Sequence, residues 1–169
     1  MNRIKVVNDI SELVPILRAV DTEAKKAIFQ DVTQNWLTAK QVQDKYGEEG
    51  LEALRFFEKM KLVETKWQTG QDEKGRSVPE KAYHAFYGSF HINASSPINE
   101  ISDVLSVAMM PEERYAKIEE RLHQMVGAQG MFAGDVSDEL QVTQTTLKAL
   151  VKRSARLDFR GHRIIRFEE

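Results

Sequence analysis

Twice along these 169 residues the apolar pattern runs through the same succession: a helix, a short extended piece, a helix, a turn, a helix and a pair of strands. In the first pass, Ala24, Ala27, Ile28 and Val32 give helical spacing over 22–33. LTAKQVQDKYG follows, with Thr38 and Gln41 placed as a capping box and Gly47 as a helix stop. After a three-residue turn, Leu51, Leu54, Phe57 and Met60 define a third inward-facing stripe. LVETKW then predicts a strand, TGQDEKGRSVPE a polar loop, and KAYHAFYGSFHIN a single aromatic-rich returning strand.

The second pass is shorter. A helix from Glu112 to about residue 126 carries Tyr115, Ile118, Leu122 and Met125 on one side, and a short extended piece is expected at Met131 and Phe132. AGDVSDEL predicts a helix, QVT a turn, and QTTLKALVKRSA a helix with Leu147, Leu150 and Val151 inward. LDFRGHRIIRF closes the pass as a hairpin turning at Arg160-Gly161-His162. A short helix precedes each pass. One spans Ser11–Ala19 with Leu13, Ile16 and Leu17 inward. The other follows Ser95-Ser96-Pro97, with a stripe of Ile98, Ile101, Val104, Leu105 and Ala108, and ends at Pro111.

Three helices followed by a hairpin form the winged-helix layout. The expected fold is therefore mainly α with small β-hairpin wings (α+β): tandem winged helix-turn-helix units joined by helices. The boundaries fall at 1–96 for the first unit, 97–126 for connecting or dimerisation helices, and 127–169 for the second unit. Phe56, Phe57, Trp67, Tyr83, Phe86, Tyr87 and Phe90 are expected to form the core and sheet face of the first unit, with a ligand pocket or dimer surface as the alternative.

Composition narrows the chemistry. The absence of cysteine removes disulfides, thiolate metal sites and thiol nucleophiles. No stretch approaches a membrane span or a signal peptide, so a cytoplasmic protein without membrane association is expected. Neither a phosphate-cradling glycine loop nor a nucleophile elbow is present, and no catalytic residue, metal or cofactor is expected. The four histidines (His84, His91, His123 and His162) lack the spacing of a helical metal pair, which leaves only a site shared between His91 and a dimer partner's carboxylates.

Charge is where the chain departs from the ordinary. The total is −2, yet Ile98–Gln141 holds nine acids and three bases, and Val142–Phe167 holds seven bases and one acid. A winged helix reads DNA with its third helix in the major groove and its wing along the backbone. That demands an outer face rich in cations and hydrogen-bonding groups. The third helix of the first pass opens with Glu48, Glu49 and Glu52, which oppose phosphate, and Arg55, Lys59 and Lys61 compensate only in part. The third helix of the second pass presents Thr143, Gln144, Thr145, Lys148 and Lys152, followed by Arg153 and Arg156, with Arg160, His162 and Arg163 on its wing. Glutamine suits adenine edges, and lysine suits phosphate or guanine. These ten residues are the candidate DNA-binding set.

The segments LEALRFFEKMKLVETKW, EKAYHAFYGSFHIN, EISDVLSVAMMPEE and FAGDVSDELQVTQTTLKALVKRSARLDFRGHRI together give the chain a family likeness. It resembles the archaeal ArsR-like winged-helix transcription regulators, particularly a two-unit type of methanogenic archaea. The resemblance implies a homodimer that binds double-stranded DNA and answers to a small-molecule or protein effector. ArsR-type metal sensing relies on cysteine-containing sites, which this chain lacks. A second reading, from a different class, is a tandem winged-helix protein-interaction module, as in the kleisin-binding subunits of chromosome-condensing complexes, or an accessory factor of the transcription machinery. The acidic third helix of the first pass suits that reading, and the basic final segment argues against it.

Overall fold

The structure, a computed structural model, describes residues 3–93 and 95–167. The chain clusters into two compact units. One is formed by the residues up to Val6 together with Ala19–His91, the other by Val7–Arg18 together with the residues from Ile92 onward. Each has an α+β arrangement consistent with a winged helix.

Unit 1 contains α2 (Glu23–Gln34), the two-residue strand β2 (Leu37–Thr38), α3 (Ala39–Lys59), and the hairpin strands β3 (Val63–Gln71) and β4 (Ser77–Ala85). Its sheet order is β2-β4-β3. Thr22 caps α2 by accepting from the Lys25 amide, and Thr38 and Gln41 form the expected capping box at the start of α3. The helix-turn-helix corner lies inside α3. Gly47, at φ +69° and ψ −154°, breaks the helix in a backbone region open almost only to glycine. The three-residue turn expected here is one residue, and the helix resumes at once. Gly50 makes so tight a corner workable, because a Cβ there would lie 2.9 Å from both Val42 Cγ1 and Tyr46 Cβ. Ile28, Val32, Val42, Leu54 and Phe57 fill the core beneath, and Phe29 meets Phe57 edge-on at 5.3 Å.

Several expectations for this unit are corrected. The polar loop is short, because 69–71 and 77–80 pair as strand; Thr69 faces Pro79, beyond the reach of β2, so proline's missing N–H breaks no ladder with β2. Asp72 closes the turn by accepting from the amides of Lys74 and Arg76. The aromatic returning strand is two strands, β4 and β5 (Ser89–Ile92), and β5 pairs with an N-terminal strand, β1 (Ile4–Val7), that had not been foreseen. Trp67 is no core residue: it lies in the stretch Thr65–Thr69, exposed on both faces of β3, and is itself 71% exposed. Lys59 is buried at the end of α3 and adds nothing to an outer cationic face.

Unit 2 begins with a 3₁₀ turn (Ile10–Glu12) and α1 (Leu13–Ala19), most of which belongs to this unit. It continues after the first unit with α4 (Ile98–Ala108), α5 (Glu112–Val126), β6 (Met131–Phe132), α6 (Ala133–Leu140), α7 (Gln144–Arg153), β7 (Leu157–Arg160) and β8 (Arg163–Arg166). Its sheet order, β6-β8-β7, repeats that of unit 1: the short strand pairs with the last strand of the hairpin. The segment 97–126, expected to connect, supplies Val104, Val107, Ala108, Tyr115, Leu122 and Val126 to the core of this unit, beside Leu147, Leu150, Leu157 and Ile164.

Two helical stripes are rotated from expectation. In α1, Val14 is the fully buried residue and Leu17 is 45% exposed, because the capped 3₁₀ turn ahead of the helix sets its phase. In α4 the inward side is Ile101, Val104, Val107 and Ala108, which leaves Ile98 75% exposed and Leu105 on the outer side. With five apolar positions spread over more than one face, the sequence did not discriminate between the two sides.

Substituting Gly47 with alanine tests the corner. No atom lies within 4 Å of the added Cβ, so the loss, about 1–3 kcal/mol, comes from backbone strain alone. Urea unfolding of the variant is expected to show it as a lower midpoint with an unchanged slope.

Candidate nucleic-acid interface

The third helix of unit 2 is held from three sides. At its N-terminus Thr143 accepts from the Thr146 amide and donates its own hydroxyl proton to Asp103 Oδ2 at 2.8 Å. Gln141, in the left-handed conformation at φ +54°, turns the chain from α6 into that cap. Gln144 Nε2 donates to Ser137 Oγ at 3.0 Å, and Ser137, buried on α6, donates to the Gly134 carbonyl. Midway along, the Tyr115 hydroxyl donates to the Leu150 carbonyl at 2.8 Å. Burial pushes this phenol well above its ordinary range, with the Glu119 carboxylate adding to the effect.

Arg153, at the C-terminal end, is a correction to the candidate set. Only 4% exposed, it donates to the carbonyls of Val107 (2.8 Å) and Met110 (2.7 Å) and to Glu112 Oε2 (3.0 Å). Its guanidinium lies 4.2 Å from the centre of the Tyr115 ring. The reason is positional: Arg153 falls on the side of α7 that also carries Leu150 and Ala149, and the turn between α4 and α5 offers carbonyls there. Arg18 reaches the same Glu112 oxygen at 2.8 Å.

Two more bases of the cationic block are engaged in a similar way. Arg156 pairs with Glu120 at 2.8 Å and Glu119 at 3.7 Å, and Ser154 donates to Glu119. Arg166 donates twice to the His123 carbonyl. The acids of α5 thus meet the bases that follow α6, so the two oppositely charged blocks of the sequence partly cancel within one unit.

What remains outward is narrower than the ten candidates. Thr143, Gln144, Lys148, Arg160, His162 and Arg163 are exposed, Arg156 is exposed but paired, and Lys152 and Thr145 are half-buried. Arg163 donates to the Gly130 carbonyl at 2.9 Å while staying at the surface. Arg160 and His162 flank Gly161 at the wing tip, where Gly161 takes φ +62° in a two-residue turn. Gln144, Lys148 and Lys152 of α7 and His162 of the wing line one cleft of about 240 Å³, with Phe159 in its wall.

Two further residues of that cleft were missed in the sequence: Asp9 and Glu12. Lys148 Nζ lies 3.5 Å from Asp9 Oδ2. Burial works against the charged form of Asp9, but hydrogen bonds from Ser11 and the charge of Lys148 together outweigh it and hold the carboxyl below its ordinary range. The signal at hand was local only: aspartate ahead of Ser11 marks a helix start but does not say what lies opposite. In unit 1 the corresponding helix exposes Glu48, Glu49 and Glu52. Among the described residues no group of three or more acids and histidines is placed to hold a metal ion, and no helix is long and apolar enough to cross a membrane.

The sequence matches the ArsR transcriptional regulator family over residues 7–168, a span that takes in both units. The chain belongs to that family. ArsR proteins are transcriptional regulators, not an enzyme family, and membership implies DNA as the partner of this one. Among curated proteins none matches the chain.

Two substitutions in this regulator check the scaffold behind the interface. Arg153→Met removes the donors to two carbonyls in a largely buried site, and a loss of roughly 2–4 kcal/mol is expected in denaturant melts. His123 supplies a pH test. Burial, with the charges of Arg156 and Arg166, lowers its imidazole below the ordinary value. The unfolded chain therefore takes up the proton first as pH falls. The stability that the neutral ring contributes is present above the ordinary value of about 6.5 and is lost below it. His123→Gln is expected to lose less melting temperature than the wild type between about pH 7.5 and about pH 5.5.

Proposed function

We propose that this ArsR-family regulator acts as a homodimer, in which unit 2 meets double-stranded DNA through α7 and the β7–β8 wing. The observation that carries the reading is the shared cleft: Gln144, Lys148 and Lys152 face it from the helix and His162 from the wing, with Arg160 and Arg163 exposed beside it. A polar helix face joined to a cationic wing supplies base-edge groups and phosphate groups together. The acidic start of the third helix in unit 1 points to some other role for that unit, dimerisation or reception of an effector.

Dimerisation is supported by α4. Ile98, Leu105 and Met109 lie along its outer side and its C-terminal cap at spacings of seven and four, and all three are exposed. Two-fold pairing would set two basic units against half-sites about one helical turn apart. In this reading the protein is a cytoplasmic, two-unit regulator of the archaeal type, and its effector is an unidentified small molecule or protein. A protein-interaction module is the second reading. It is favoured by exposed Trp67 on the wing of unit 1 and by Glu48, Glu49 and Glu52 nearby in sequence order.

Titration of the protein against its own promoter region and a random duplex, at two salt concentrations, separates the two. A regulator prefers its promoter by at least about tenfold, and log K falls by roughly 0.9 per phosphate contact as log salt rises. The Lys148→Ala, Lys152→Ala, Arg163→Ala triple variant is expected to lose binding to both duplexes. Equal weak binding to both, unchanged in the variant, would overturn the reading in favour of the interaction module.

A further inference from the structure

The turn at Ile10–Glu12 does more than start a helix. Asp9 caps it, its Oδ1 accepting from the Ser11 amide at 2.9 Å and from the Ser11 hydroxyl at 2.7 Å. Ile10 and Val14 anchor it from behind, buried in the same core as Leu147, Leu150 and Val151 of α7. The turn is thereby fixed against unit 2, and its acidic side opens onto the cleft. Asp9 Oδ2 pairs with Lys148, and Glu12 lines the same space as Lys148, Lys152 and Gln144. A phosphate approaching these lysines meets two carboxylates already in place.

We infer that Asp9 and Glu12 form a built-in anionic competitor that sets how tightly α7 holds DNA. The inference rests on the reading that α7 is the DNA-contacting helix. Its physical content is simple. The Asp9–Lys148 pair, half-exposed on both sides, is weak enough for a polyanion to displace, yet each displacement forfeits the pair and leaves an unpaired carboxylate near the phosphates. The cost falls on every phosphate that approaches Lys148, whatever the base sequence, so the turn depresses affinity for random DNA.

The test uses the full chain and a short random duplex. Asp9→Asn with Glu12→Gln removes both charges while keeping an oxygen acceptor for the Ser11 amide. The double variant is expected to bind random duplex roughly three- to tenfold tighter than wild type, and to remain folded at the temperature of the titration. In a Lys148→Ala, Lys152→Ala background the same two changes should tighten binding far less. Should the double variant unfold, Asp9→Asn alone is measured, with a smaller gain expected. No tightening in a folded variant overturns the inference. So does tightening of the same size without the lysines, which would mark a general effect of net charge. If the lysine variant itself loses no affinity for DNA, the underlying reading of α7 fails along with it; if it does lose affinity while Asp9→Asn and Glu12→Gln change nothing, only the competitor fails.

Discussion

The guanidinium of Arg153 fixes where the third helix of unit 2 can sit. A long cation at the C-terminal end of α7 is carried into the protein, where it bonds to two backbone carbonyls and a carboxylate and rests on the Tyr115 ring. Its Nε is buried without a partner, so the arrangement is costly unless its other donors are satisfied. The Tyr115 hydroxyl adds a bond to the Leu150 carbonyl. Together these tie α7 to the α4–α5 turn and to α5, and that registration leaves Lys148 and Lys152 facing the wing.

Charge follows from the same packing. The sequence sets an acidic block before a basic one, and separated in space they would give unit 2 a strongly polarised surface. The fold instead lays α5 beside the end of α7 and the start of β7, so that Glu112, Glu119 and Glu120 take up Arg153 and Arg156. The outward cations are the ones that α5 does not reach. A basic segment in sequence is thus a poor measure of a basic surface when an acidic helix lies within side-chain reach.

Unit 1 was legible at its helix-turn-helix corner and much less so in its strands and surfaces. The Thr38–Gln41 box and Gly47 marked the corner correctly because capping and positive φ are local requirements that few residues meet. The extent of the hairpin was misjudged, since Thr69, Gly70, Gln71, Ser77, Val78 and Pro79 carry turn-like composition yet pair along their length. Trp67 was expected inside because it is aromatic, but β3 has both faces in solvent from Thr65 to Thr69. In unit 2 the order of elements, the inward stripe of α7 and the hairpin turn at Gly161 were all readable.

The sequence by itself determined the α+β class, the repeated succession of helices and hairpins, the caps, and the exclusion of thiol chemistry. Each of these rests on interactions within a few residues, or on composition. Only the tertiary structure decided that Arg153 is internal, that Arg156 is already paired, and that Asp9 stands 3.5 Å from Lys148. Those outcomes join residues more than thirty positions apart, and the separation at which two charges meet, which sets whether they attract strongly or are screened by water, is a property of the folded chain alone.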